Sequence, residues 1–249
     1  MIGIVAQREI RAMFRTPFAW AVLAAVQLLI AYQFLAQIDL FLQYLPKIRN
    51  LPEPPGVTQL IVLPTFSVTG LLALFLIPLL TMQTFAGERR AATLSLWLSA
   101  PVSLPALVIG KFLGAMSLLG IIWGLNALMA LTLLWGTSLD LGLVACGLLG
   151  LLLLMAAGTA LGIWFSALTT QPALAAITTF ATLAGLWLID WASGAQTTPG
   201  LFAELSMMRH FQRLAGGLLD TVDVVYFGLI TAGALALAVR ALADTRSAA

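Results

Sequence analysis

A chain of 249 residues that is 61% hydrophobic and only 9% charged cannot clothe a soluble globule, whose residues are roughly one-quarter charged. Its apolar runs recur well past the roughly 20 residues that cross a bilayer, which predicts an all-α, polytopic membrane protein. A net charge of +2 argues against nucleic acid as a partner, and one cysteine (Cys146) with one histidine (His210) excludes internal disulfides, CxxC metal sites and paired-histidine haem ligation within one chain.

Residues 2–15 set Ile2, Val5, Ile10 and Met13 against Arg8, Arg11 and Arg15. This reads as a basic amphipathic helix lying on an anionic leaflet, or equally as a polar cap that fixes topology. The uncharged run from Thr16 to Ile38 exceeds a signal-peptide core of roughly 7–15 residues, so span one, about Pro17 to Ile38, is expected to be retained. A polar loop is expected next, with Asp39, Lys47, Arg49 and Glu53 and the prolines Pro52, Pro54 and Pro55. Span two covers about Leu60 to Ala86. Inside it Pro78 frees a backbone carbonyl, as a hinge or as a fixed kink.

The stretch from Gly87 to Lys111 holds three of the twelve Lys/Arg residues between long apolar runs. It predicts a short amphipathic helix over 87–101, with Glu88 as an acidic start, Leu94, Trp97 and Leu98 as an apolar face and Pro101 as a stop. Taken alone, Glu88-Arg89-Arg90 is an interfacial charge cluster that halts span two. Span three runs from about Ala106 to Trp135. From Asp140 to Asp190 no residue between is charged, and a single break at 166–172 divides that run into spans four (about 141–165) and five (about 172–190). Gly110/Gly114, Gly120/Gly124 and Gly158/Gly162 are GxxxG pairs that permit close helix approach.

Residues 192–223 form a second polar insertion, expected to be a helical hairpin. Leu201, Leu205, Met208 and Phe211 share a helical stripe, Gly216-Gly217 ends the helix, and Asp223 is placed to cap the next one. The hairpin either dips into the leaflet to close a pathway or lies over the bundle as a cover. His210 reads as a hydrogen-bonded interfacial residue. Span six covers about Val224 to Ala241, with Tyr226 and Arg240 at its boundaries.

Six spans place both termini on one side. Arg8, Arg11, Arg15, Arg89, Arg90, Lys111, Arg240 and Arg246 fall on that side, against Lys47, Arg49, Arg209 and Arg213 on the other. The excess predicts cytoplasmic termini, a cytoplasmic 87–101 helix and an outward 192–223 hairpin. No P-loop is present, because Phe112 follows Gly110-Lys111 where Ser or Thr is required. Acidic groups sit at span ends rather than at depth, which weakens both a proton-coupled transporter and an intramembrane protease.

The order Glu88-Arg89-Arg90, Thr93-Leu94, Leu96, Leu98, Pro101, Gly110-Lys111 resembles the cytoplasmic loop of ABC-2-type permeases, more narrowly the gliding-motility and nitrous-oxide-reductase-maturation branch. Ser166-Ala-Leu-Thr169-Thr-Gln171 and the hairpin end, His210-Phe211 through Gly216, Gly217, Asp220, Asp223 and Tyr226-Phe227, extend the likeness over nearly the whole chain. Ala92 stands where that family often has Gly, Ser95 where it often has an acidic residue, and the 166–171 turn lacks a basic residue often found there.

The resemblance implies a non-catalytic permease of an ATP-driven exporter in the bacterial inner membrane, paired with a second copy or homologue and with separate ATPase subunits that hold ATP and Mg. No cofactor is then bound by this chain. Glu88, Arg89, Arg90, Thr93, Leu94 and Pro101 would form the coupling contact with the ATPase. Ser166, Thr169 and Gln171 would add a second contact. Two other classes stay open on the residues alone: an ATP-independent transporter or channel, and a membrane anchor or assembly factor.

Overall fold

The computed structural model describes residues 2–48, 55–94, 97, 102–193 and 203–247. Within them, α1 is Ile2–Phe14, α2 Pro17–Ile48, α3 Leu63–Thr81, α4 Ala86–Arg90, α5 Leu104–Thr132, α6 Leu141–Leu168, α7 Pro172–Ser193, α8 Met207–Ala215 and α9 Thr221–Ser247. A π-helical turn, Thr58–Val62, leads into α3, and a 3-10 turn, Leu133–Trp135, closes α5. Six of these segments are long and apolar enough to cross a membrane, so the chain is a polytopic, multi-pass membrane protein, all-helical among the described residues.

The expected loop after span one is largely helix. Unbroken, α2 carries Asp39, Tyr44 and Lys47 out to Ile48. Gln43 donates to Asp39 Oδ2 at 2.9 Å across one turn, and the Lys47 ammonium lies 5.6 Å from the Tyr44 ring centroid. Charge ends a membrane crossing without ending a helix, since backbone hydrogen bonds are satisfied as well in water as in lipid.

At the centre stands α6. Its start is capped by Asp140, whose Oδ1 accepts from the Leu143 amide at 3.1 Å, and α7 begins on Pro172, where a missing N–H costs nothing. Helix α3 packs against α6 through the Gly158/Gly162 pair: a Cβ at Gly162 would lie 2.2 Å from Thr81 Oγ1, and one at Gly158 2.7 Å from Ile77 Cδ1. The Gly110/Gly114 pair instead receives α1, with Val5 Cβ and Glu9 Cβ each 2.6 Å from the Cβ positions. Gly120 and Gly124 face open space. Midway along the bundle, the Thr69 hydroxyl donates to Asn126 Oδ1 at 2.9 Å, joining α3 to α5.

Helix α8 packs one face against this bundle. Ser206 caps it by accepting from the Arg209 amide at 3.2 Å. That start puts Met207, His210, Phe211 and Leu214 on the buried face, and Phe211 packs between Gly70 of α3 and Gly150 of α6. The expected stripe is therefore displaced: Leu205 is 50% exposed, and Leu201 lies outside the described residues. At the other end Gly217, with φ 84, makes a left-handed C′ residue. The amides of Gly217 and Leu218 bond to the carbonyls of Leu214 and Arg213 at 3.0 and 3.1 Å, a Schellman closure.

Candidate functional site

At the end of the bundle where α1 and the close of α9 lie, four helices converge on the short α4. The expected single helix over 87–101 is broken. Helix α4 stops at Arg90, and Ala92 turns the chain through a left-handed φ of 55, a conformation that carries a Cβ penalty of about 1 kcal/mol. Leu94 and Trp97 are helical beyond the turn; Pro101 lies outside the described residues.

Only part of the expected coupling set faces outward. Arg90 and Thr93 are exposed. Leu94 is buried in a small core with Val5, Phe85, Leu107, Val108 and Leu242. Glu88 points inward, where its Oε1 accepts from the Lys111 ammonium at 2.8 Å. Lys111 itself is 2% exposed and donates to Glu9 Oε1 of α1 at 3.1 Å. Arg89 reaches sideways to α9, donating to Thr245 Oγ1 at 3.0 Å.

Ser166, expected on the surface, is fully buried. Its hydroxyl oxygen accepts from the amides of Phe85 and Ala86 at 3.0 and 3.1 Å and donates to the Met82 carbonyl at 3.1 Å. One side chain of α6 thereby caps α4, which has no capping side chain of its own. Substituting Ser166→Ala will strand two buried amides and cost about 1–2 kcal/mol; a lowered unfolding midpoint of the detergent-solubilised protein checks this, with faster amide exchange expected at Phe85 and Ala86.

In the 166–171 turn Thr169 is half-buried and Gln171 exposed. The turn closes against α4: Arg90, Thr170, Gln171, Pro172 and Ala173 line one open groove of about 500 Å3. Two stretches distant in sequence thus form a single surface at this end of the molecule.

The opposite end holds a second polar cluster. Asp223, expected as a cap, sits in the first turn of α9, fully buried; Asp220 caps instead, its Oδ1 accepting from the Val222 amide at 3.1 Å. Asp223 Oδ1 lies 2.5 Å from His210 Nδ1 and 3.0 Å from the Arg213 guanidinium. His210 Nε2 is 2.8 Å from the Glu204 carbonyl. The Tyr226 ring stacks on His210 at 3.9 Å between centroids, and its hydroxyl donates to the Leu205 carbonyl at 2.7 Å. Of the residues expected there, His210, Asp223 and Tyr226 are brought together, and Phe211 packs on the same helix into the core. Gly216, Gly217 and Asp220 shape the turn between α8 and α9.

Two participants were not singled out as site residues by sequence reasoning. Glu9 reads as one charge on a basic helix, and Lys111 as the close of a polar stretch; their signal was the GxxxG pair flanking Lys111.

Residues 4–199 match the model of a protein family described as ABC-2 family transporter protein. No match was found among curated proteins.

Proposed function

The chain belongs to the ABC-2 family of transporters, and from that premise we propose that it is the permease subunit of an ATP-driven exporter of the gliding-motility and nitrous-oxide-reductase-maturation branch. In this reading it pairs with a second permease, a copy or a homologue, and with two ATPase subunits that bind ATP and Mg. It sits in the bacterial inner membrane with both termini in the cytoplasm, as the eight-to-four distribution of Lys and Arg favours.

The observation that carries the reading is the groove between α4 and the 166–171 turn. Arg90 and Gln171 both line it, on an element tied to α5 through Glu88 and Lys111, to α6 through Ser166 and to α9 through Arg89 and Thr245. A surface that receives force needs exposed contacts and a stiff backing, and this one has both. Closure of the ATPases on ATP pushes α4, and the braces pass the displacement to the spans. Glu88, Arg89 and Ser166 act in the bracing, while Arg90, Thr93, Thr169 and Gln171 meet the partner.

Charge reversal of the exposed position tests this. Arg90→Glu should leave the unfolding midpoint of the permease within about 0.5 kcal/mol of the parent, as expected for a surface site. Yet it should abolish copurification with a P-loop ATPase and stimulation of its turnover. Undiminished association in that variant, together with Gln171→Glu, would refute the assigned contact.

A further inference from the structure

The Lys111 ammonium is shared. It lies 3.1 Å from Glu9 Oε1 on α1 and 2.8 Å from Glu88 Oε1 on α4, while its own backbone belongs to α5. On either side of it Gly110 and Gly114 let α1 press against α5 with no room for a methyl group. Phe85 and Trp97 close over the nitrogen, their ring centroids at 5.2 and 5.9 Å, and the Arg8 guanidinium of α1 lies 4.3 Å from the Trp97 ring centroid. The side chain of Lys111 is 1% exposed.

Burying one ammonium between two partly exposed carboxylates is a poor way merely to hold helices together. An apolar replacement would do so without desolvation. What a shared ammonium adds is direction, because both carboxylates must keep station on one nitrogen, so neither α1 nor α4 can slide without the other. Arg8 lies 3.7 Å from Glu9 Oε1 and balances the cluster, while Glu88 Oε2 is buried without a hydrogen-bond partner, so separating the α4 arm leaves its carboxylate worse placed than before.

We propose that Lys111 is a positioning residue that makes the amphipathic helix α1 and the short helix α4 one moving body. Displacement of α4 then drags α1, with its exposed Arg8 and Arg11 and with Arg15 just after its end, through the surface of the leaflet. The use of this joint in transport rests on the proposed function; the joint itself does not.

The test uses the full chain in lipid nanodiscs with buried Cys146 replaced by serine. Spin labels go on two exposed positions, Arg11→Cys in α1 and Ala91→Cys at the end of α4, with a third position, Leu168→Cys, as reference. Lys111→Met alone leaves the Glu88 carboxylate unpaired and Glu9 with only Arg8 at 3.7 Å, and risks misfolding. The neutral combination Lys111→Met, Glu9→Gln, Glu88→Gln removes the ion pairs without stranding charge. Without any ATPase, the parent should give a narrow Arg11–Ala91 distance distribution and the neutral variant a broad one; an equally narrow distribution in the variant overturns the joint.

With the ATPase trapped in ATP, the parent should keep the Arg11–Ala91 distance and change Arg11–Leu168. In the neutral variant hydrolysis should persist while the Arg11–Leu168 change is lost. A parent whose Arg11–Ala91 distance shifts on trapping refutes concerted motion. Failure of any ATPase to associate with the parent would sink the exporter reading and leave the ATPase-free distances to decide the joint.

Discussion

Asp223→Ala is expected to destabilise the solubilised protein by about 3 kcal/mol, the scale on which breaking a buried ion pair acts. The carboxylate is fully buried and meets two partners at once, His210 Nδ1 at 2.5 Å and the Arg213 guanidinium at 3.0 Å. Removing it leaves Arg213 Nη2, already 2.9 Å from His210 Nδ1, without its buried counter-charge; the guanidinium, 29% exposed and 3.7 Å from Glu204 Oε2, recovers some hydration and keeps the loss from being larger. Asp223→Asn, which still accepts a hydrogen bond from His210, should fall between parent and alanine. The double variant Asp223→Ala, His210→Leu should lose less than the sum of the two single changes, since they share one network. Unfolding midpoints of the four proteins decide the matter, and an additive result would mean that the pair is not formed.

Gly162→Ala should rank beside it. A Cβ there would stand 2.2 Å from Thr81 Oγ1 and 2.8 Å from Thr81 Cβ. The second atom is fixed to the α3 backbone, so α3 itself must withdraw from α6. Overpacking of this kind costs about 1–3 kcal/mol. Gly158→Ala meets only the Cδ1 end of Ile77, which a rotamer change can clear, and should cost less. Gly120→Ala enters open space and should be neutral or mildly favourable, by up to about 0.5–1 kcal/mol from helix propensity. Thermal unfolding of the three variants in one detergent gives the order; equal effects would refute the packing account. Thr81→Ala added to Gly162→Ala should restore part of the loss, because it removes the nearest atom.

The six crossings were legible because hydropathy over some 20 residues reports what lipid demands of a helix. The same signal is blind to a helix that continues into water, which is why α2 runs ten residues past Ile38. It is also blind to facing. Glu88, Arg89 and Arg90 are consecutive in sequence, yet turn respectively to Lys111, to Thr245 and to solvent, and only the packing of α1 and α9 around α4 decides which is which. The three GxxxG pairs are equivalent as text and serve three different ends, against α1, against α3 and against nothing in the chain. The break in the 87–101 stretch was not legible, because an alanine at position 92 gives no sign of its left-handed φ of 55. The His210–Asp223 pairing was half visible. Both belonged to the hairpin, but the register of α8 depended on Ser206 as its cap, which shifts the buried face by one residue.

One consequence of the long α2 concerns posture. From Pro17 to Asp39 is 22 residues, about 33 Å along a helix axis, barely more than the ~30 Å hydrocarbon thickness. A steep lean would draw the Asp39 carboxylate beneath the headgroups on one side, or lift nothing useful on the other. The apolar length of α2 therefore accommodates a lean of up to about 25° before Asp39 is drawn below the interface.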